Sequence, residues 1–193
     1  EEIKNYLSRP DVLGGAPNDY NFIRIPDNMF IWATMNSADQ GVFPMDTAFK
    51  RRWEFSYIGI DEGQRQIEDC VVTICGKQVK WNLLRKAINM QMALSNINED
   101  KLIGPFFLPQ GILPKSRLGT LEYDKENEAF LDAFESKVLM YLFSDAVKQK
   151  LSVVFSTGDS NDINIRQYSS ICSAFRAKGL EIFVPDILSQ NLS

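Results

Sequence analysis

Residues 29–36, Met-Phe-Ile-Trp-Ala-Thr-Met-Asn, constrain the fold most, because they form a nearly continuous apolar run that ends on a side-chain amide. Bounded ahead by Pro26, Asp27 and Asn28, a run from Met29 to Met35 without polar alternation predicts a strand covered on both faces, as in a parallel sheet. Asn36 then stands at the carboxyl end of that strand. Open α/β sheets gather their ligands there, and the amide suits an attacking water or a terminal phosphate oxygen. Local chemistry also fits a plain turn, since Ser37, Ala38, Asp39, Gln40 and Gly41 are ordinary turn formers.

The next segment predicts a short helix with a basic end. Pro44 suits the first turn, Asp46 complements the amino-terminal dipole and lies one helical turn before Lys50, and Lys50, Arg51 and Arg52 crowd the carboxyl end. Dipole complementarity alone accounts for such a cluster. It does not account for two rigid guanidinium forks placed just before the strand-like alternation Trp53, Phe55, Tyr57. An arginine supplied across a subunit boundary stabilises the charge of phosphoryl transfer and contributes about three to five powers of ten in rate.

Taken together, residues 35–55, MNSADQGVFPMDTAFKRRWEF, resemble the sensor and arginine-finger segment of the McrB family. These are the AAA+ motor subunits of modification-dependent restriction systems, with the pattern M-N-T-A-D-R-S, a spacer, and D-x-A-L-R-R-R-F. The resemblance implies that Asn36 is the sensor-1 residue, that Arg51 and Arg52 occupy the finger positions, and that Asp46, with Asp39, supplies supporting acids. Two positions depart from the pattern: Gln40 stands where the family has Arg, and Lys50 replaces the first of three arginines.

Further on, KLIGPFFLP at 101–109 and YLFSDAVKQKLSVVF at 141–155 are similar to lid segments of the same family. That implies a loop packed near the nucleotide, with Lys101 as a sensor-2-like cation. The implied architecture is α/β: the carboxyl-terminal part of a P-loop-type AAA+ core, parallel strands with flanking helices, over residues 1–60, followed by a mainly α-helical lid over 61–193. For the intact protein it further implies GTP or ATP with Mg2+, a homo-oligomeric ring, typically a hexamer, a McrC-like nuclease partner, and DNA engaged through other domains.

Absences narrow the chemistry. The 193 residues contain no His, which removes the commonest general base and rules out Ser-His and Cys-His nucleophile pairs. Cys70, Cys75 and Cys172 are too few and too scattered for a Cys-only zinc site, and read as reduced thiols. No Gly-x-x-x-x-Gly-Lys-Ser/Thr occurs, so nothing cradles the β- and γ-phosphates. The chain is therefore expected to be a carboxyl-terminal portion of a motor, inactive alone. A net charge of -4 argues against a broad nucleic-acid footprint. No apolar run approaches the roughly twenty residues that span a bilayer, and a cytoplasmic location is the expectation.

The remaining pattern is mostly helical. Glu1–Leu7 reads as a helix tail, 8–21 as a loop, and Phe22–Ile25 as a short strand. FSYIGIDE at 55–62 imitates a magnesium-binding strand, but it follows the arginines, so Asp61 and Glu62 are read as the capping start of the next helical region. Lys80–Leu94 carries a wide apolar face and predicts a central helix of a bundle. Leu102–Leu121 predicts an ordered loop, Asn127–Phe143 a helix, and Asp145 the cap of a short helix reaching Leu151. Ser156–Asn164, including Asp159 and Asp162, predicts a polar loop. A last helix through Tyr168 and Phe175 should stop at Gly179, with an extended segment at Leu180–Val184. Two other functions fit the same residues: an AAA+ remodeller unconnected with restriction, and a noncatalytic helical interaction domain whose arginines only cap a helix.

Overall fold

The computed structural model describes residues 1–21, 28–34, 46–158 and 162–192. The expected strand Phe22–Ile25, the end of the apolar strand at Met35, and the positions Asn36, Asp39 and Asp159 lie outside the described residues. The chain divides into two compact units, Glu1–Thr47 and Ala48–Ser193.

In the first unit, helix α1 (Glu2–Leu7) packs with a 3-10 turn at Pro17–Tyr20. Lys4 Nζ ties the pair by donating to Asn21 Oδ1 at 2.6 Å, and within the turn the Asp19 carboxylate accepts the Ala16 N–H at 2.8 Å. The apolar run behaves otherwise. Residues 29–34 form no strand, and Met29, Phe30, Ile31 and Trp32 are 52%, 79%, 51% and 91% exposed, so the expected doubly covered strand is not formed over these residues. An isolated strand cannot satisfy its backbone or bury its faces, and a sheet position needs neighbours on both edges.

The second unit opens with helix α2 (Thr47–Lys50), which starts on the last residue of the first, and a turn that carries Arg51 and Arg52. Residues 54–58 follow as an exposed arm. The predicted Trp53, Phe55, Tyr57 alternation makes no strand here, and no partner strand lies alongside it among the described residues. Beyond it sits an element the sequence reading missed: the antiparallel hairpin β1 (Val71–Ile74) and β2 (Lys77–Lys80), with Val72 opposite Val79. Its two-residue turn, Cys75–Gly76, has φ of 46° and 76°, the left-handed pair that matches strand twist in tight hairpins. Gly179 closes over it. A Cβ there would lie 3.0 Å from Cys75 Cβ and 3.2 Å from Ile74 Cγ2, and its φ is 61°, so glycine is required on both counts.

Helix α3 (Trp81–Leu94) matches the expected boundaries within a residue, and buries Trp81, Leu84, Ile88 and Met92. Helix α4 (Leu121–Ala133) starts earlier than its apolar stripe suggests, because Thr120 Oγ1 accepts the Tyr123 N–H at 3.0 Å and caps it. It runs on through wider π-type turns at Phe134–Leu139 and Leu142–Ala146. Asp145 lies inside the second of these instead of capping a further helix. Helix α5 (Tyr168–Lys178) ends at Gly179 as expected. Leu180 and Ile182 belong to a 3-10 turn at Gly179–Ile182, and Phe183 makes a single antiparallel bridge to Phe155 before helix α6 (Pro185–Leu188).

The core of this unit is aromatic. Trp81 meets Phe130 and Phe134 edge to face at 5.7 and 5.8 Å, and Phe134 stacks on Phe175 at 5.1 Å. Such pairs contribute about 0.5–1.5 kcal/mol each beyond simple burial. Two asparagines substitute for strand neighbours at backbone that no strand pairs. Asn127 donates to Thr73 C=O and accepts its N–H at 2.9 and 2.8 Å, and Asn89 does the same for Ile103 at 2.8 Å each. On the surface, Arg176 of α5 bridges Glu128 and Asp132 of α4 and Glu135 of the first π-type turn. Burial opposes its charge, but the hydrogen bonds it donates to Glu135 and Asp132 outweigh that and raise its pKa.

Candidate functional site at the arginine pair

The arginine pair sits on a turn built by its neighbours in sequence. Arg52 N–H donates to Phe49 C=O at 3.0 Å and Trp53 N–H to Lys50 C=O at 3.1 Å, which close the end of α2. The Phe49 and Trp53 rings meet at 5.9 Å across that turn and brace it. Both guanidinium groups project from it into solvent. Neither has an ion-pair or hydrogen-bond partner among the described residues, so neither spends its donors on helix carbonyls or on a local acid. Asp46 is likewise exposed at the head of α2. The residues around the pair are unusually apolar for a surface: Phe49, Phe55, Tyr57 and Ile58 are 44%, 59%, 77% and 75% exposed. Unpaired cations set among exposed rings suit a partner surface that brings anionic charge.

Behind the arm lies a buried polar knot. Arg85 is fully buried on α3, and its guanidinium donates to Asn82 Oδ1, to Ile103 C=O at 2.9 Å and to Asp61 Oδ1 at 2.6 Å. Asp61 therefore does not cap a helix, as the sequence suggested; the 3-10 turn at Gln64–Ile67 begins from Gly63, and Asp61 serves as the counter-ion of Arg85. A buried guanidinium demands a carboxylate and filled donor positions, and that requirement outweighs local capping preference. No pattern in the sequence announces this pairing, since Asp61 and Arg85 lie far apart along the chain. Tyr57 was also passed over: its hydroxyl hydrogen-bonds the Glu99 carboxylate, and that contact raises the phenol above its ordinary pKa.

Lys101 already has an intramolecular partner, Asp145, at 2.9 Å. Its carbonyl accepts the Tyr141 hydroxyl at 3.1 Å, and Tyr141 packs its ring on Phe107 at 4.9 Å. Burial, with Asp145 and Asp100 nearby, pushes the Tyr141 phenol up to about 12, so it remains a donor at any physiological pH. The loop 101–108 is thus held from two sides, by α3 through Arg85 and Asn89 and by the continuation of α4 through Tyr141 and Asp145. Among the described residues no three carboxylate or thiol side chains gather to hold a metal ion. No described helix is long and apolar enough to cross a membrane.

Against known proteins, the chain is 34% identical over 179 residues to the type II restriction enzyme BsuMI component YdiS of Bacillus subtilis (strain 168), a match covering 90% of this chain. It covers 46% of that relative. The chain spans about half the length of the curated relative it matches. No protein-family model matches the chain, and neither does any solved structure.

Proposed function

We propose that this chain is the carboxyl-terminal part of a McrB-like AAA+ nucleoside triphosphatase that drives a restriction nuclease. The observation that carries the reading is the arginine pair: two exposed guanidinium groups on a braced turn, without a partner among the described residues, in a sequence pattern that resembles an arginine finger. Similarity to a restriction enzyme component, of which the chain covers about half, supports the biological setting and leaves room for a phosphate-binding half elsewhere. In this reading the segment at 29–35 becomes a strand once it meets neighbours in the rest of the core, and the exposure of Met29 to Trp32 is that of a surface awaiting sheet partners.

The chain's own contribution is donors. Arg51 and Arg52 would reach the triphosphate held by the adjacent subunit, Asn36 would orient water on its own subunit's nucleotide, and Asp39 and Asp46 would support them. GTP or ATP with Mg2+ supplies the phosphoryl group and neutralises its charge. The described residues offer no phosphate cradle and no carboxylate set for magnesium, so other parts of the protein would hold both. Lys101 is less suited to a phosphate contact than the resemblance implied, because Asp145 already balances its charge. A hexameric ring, a McrC-like nuclease subunit and DNA bound through another domain complete the proposal.

Subunit mixing tests it. In the full-length protein, Arg52→Ala should lower nucleotide turnover by about 10³-fold or more while nucleotide still binds. Mixing those subunits with subunits lacking the P-loop lysine should restore part of the activity, because each intact site then takes half from each variant. Full turnover by Arg52→Ala, or no complementation, would instead favour an interaction module whose arginines serve only its surface.

A further inference from the structure

We infer that Tyr57 and Asp61 are positioning residues for the arginine pair, fastening the arm at 53–60 to the loop at 99–108 so that displacement of that loop moves the guanidinium groups. The inference rests on the reading of Arg51 and Arg52 as groups that act on a neighbouring subunit.

Among the described residues nothing holds the two arginine side chains beyond the small turn they occupy. Residues 54–58 are exposed and unpaired by any strand, so the direction in which the turn points is inherited from wherever the chain is next fixed. Two fixed points follow. Tyr57 donates its hydroxyl to Glu99, and Asp61 accepts from the buried Arg85. Both lead to one place. Glu99, four residues before Ile103, opens the 3-10 turn Glu99–Lys101, and Ile103 C=O accepts from the same Arg85 that binds Asp61.

The guanidinium is planar and its donors are fixed in one fork, so its bonds to Asp61 and to Ile103 cannot be adjusted separately. Asn89 holds Ile103 at both its N–H and its C=O, which leaves the loop no slack against α3. The loop and α3 therefore move as one body, and a shift of that body passes to the arm at two points, Glu99–Tyr57 and Ile103–Arg85–Asp61. The raised pKa of Tyr57 keeps its hydroxyl protonated, as a donor must be.

The experiment uses full-length protein with its nucleotide. Tyr57→Phe removes one hydroxyl from an exposed side chain and leaves the core untouched. We expect kcat to fall about ten-fold with KM for nucleotide within two-fold, since misplacement of a catalytic group acts on the chemical step. Amide exchange over residues 50–58 should quicken. Asp61→Asn should lower kcat further, and Asp61→Glu should recover part of it. Unchanged kcat and unchanged exchange in Tyr57→Phe would overturn the inference, and so would an equal change in kcat and KM or a loss that only follows a lowered melting temperature. If Arg52→Ala leaves turnover intact, the functional reading itself fails; exchange over 50–58 in Tyr57→Phe then still decides whether the fastening exists.

Discussion

Met29–Trp32 and Val71–Ile74 are two short apolar stretches of similar length, and they end in opposite environments. The first is more than half exposed at every residue, whereas Val72 and Ile74 in the second are 0% and 1% exposed. The difference lies in what each stretch meets. Val71–Ile74 pairs with Lys77–Lys80 across a two-residue turn, presents one face to the aromatic core, and has the Thr73 backbone filled by Asn127. Among the described residues no strand lies beside Met29–Trp32. Apolar side chains state a demand for burial, and only neighbours can meet it.

The contrast extends to whole regions. Every buried core residue among those described falls between Ile67 and Leu192, while the segments that carry the candidate functional residues expose rings and cations. A packed portion that needs nothing further sits in the same chain as a portion that needs partners. Exposed apolar patches of this kind mark interaction sites.

The sharpest way to break this comparison is to damage the packed side. Phe134 is fully buried and touches Trp81, Phe130, Phe175 and Phe183. Phe134→Ala should cost about 3–5 kcal/mol, read as a lower urea midpoint. A smaller loss would show that the aromatic cluster is looser than its ring distances imply. Asn89→Ala should cost less, about 1–3 kcal/mol, because it strips the Ile103 N–H of its acceptor while Arg85 still serves the C=O. Unchanged stability there would remove the case that the loop is pinned to α3. On the exposed side, Trp32→Ala should alter the stability of this chain by no more than about 0.5 kcal/mol. A larger drop would mean that the run at 29–32 is already buried in solution and that the two regions differ less than they do here.

How much of this was legible in the sequence depended on range. Helix α3 was read within a residue because its signal is local: apolar positions repeating at helical spacing, over enough turns to be unmistakable. The stop at Gly179 and the ordered loop from Leu102 were legible for the same reason, since glycine and proline restrict backbone angles wherever they stand. The hairpin was missed although a signal existed, in Cys75–Gly76 between two short runs. Cysteine is not a customary residue at a left-handed turn, and the runs are only four residues each. The start of α4 was missed because Thr120 was read as part of a loop, when its hydroxyl caps the helix.

For the candidate site the balance is similar. The arginine pair and its resemblance were legible because they lie together in the chain. Asp61 was misread because the acid after an apolar strand looks like a cap or a metal ligand, and only the fold reveals a buried cation waiting for it. Tyr57 was seen as part of a strand alternation, with no hint of Glu99.

The sequence by itself determined the helix α3, the glycine and proline breaks, the absence of histidine chemistry and the cluster of cations at 50–52. These follow from residue type and short spacing, which act wherever the chain lies. Tertiary structure alone decided which apolar runs were covered, which acid would neutralise Arg85, and which asparagines would stand in for missing strands. Burial and charge pairing depend on groups that arrive from distant positions, and the free energy of each choice exists only once they have met.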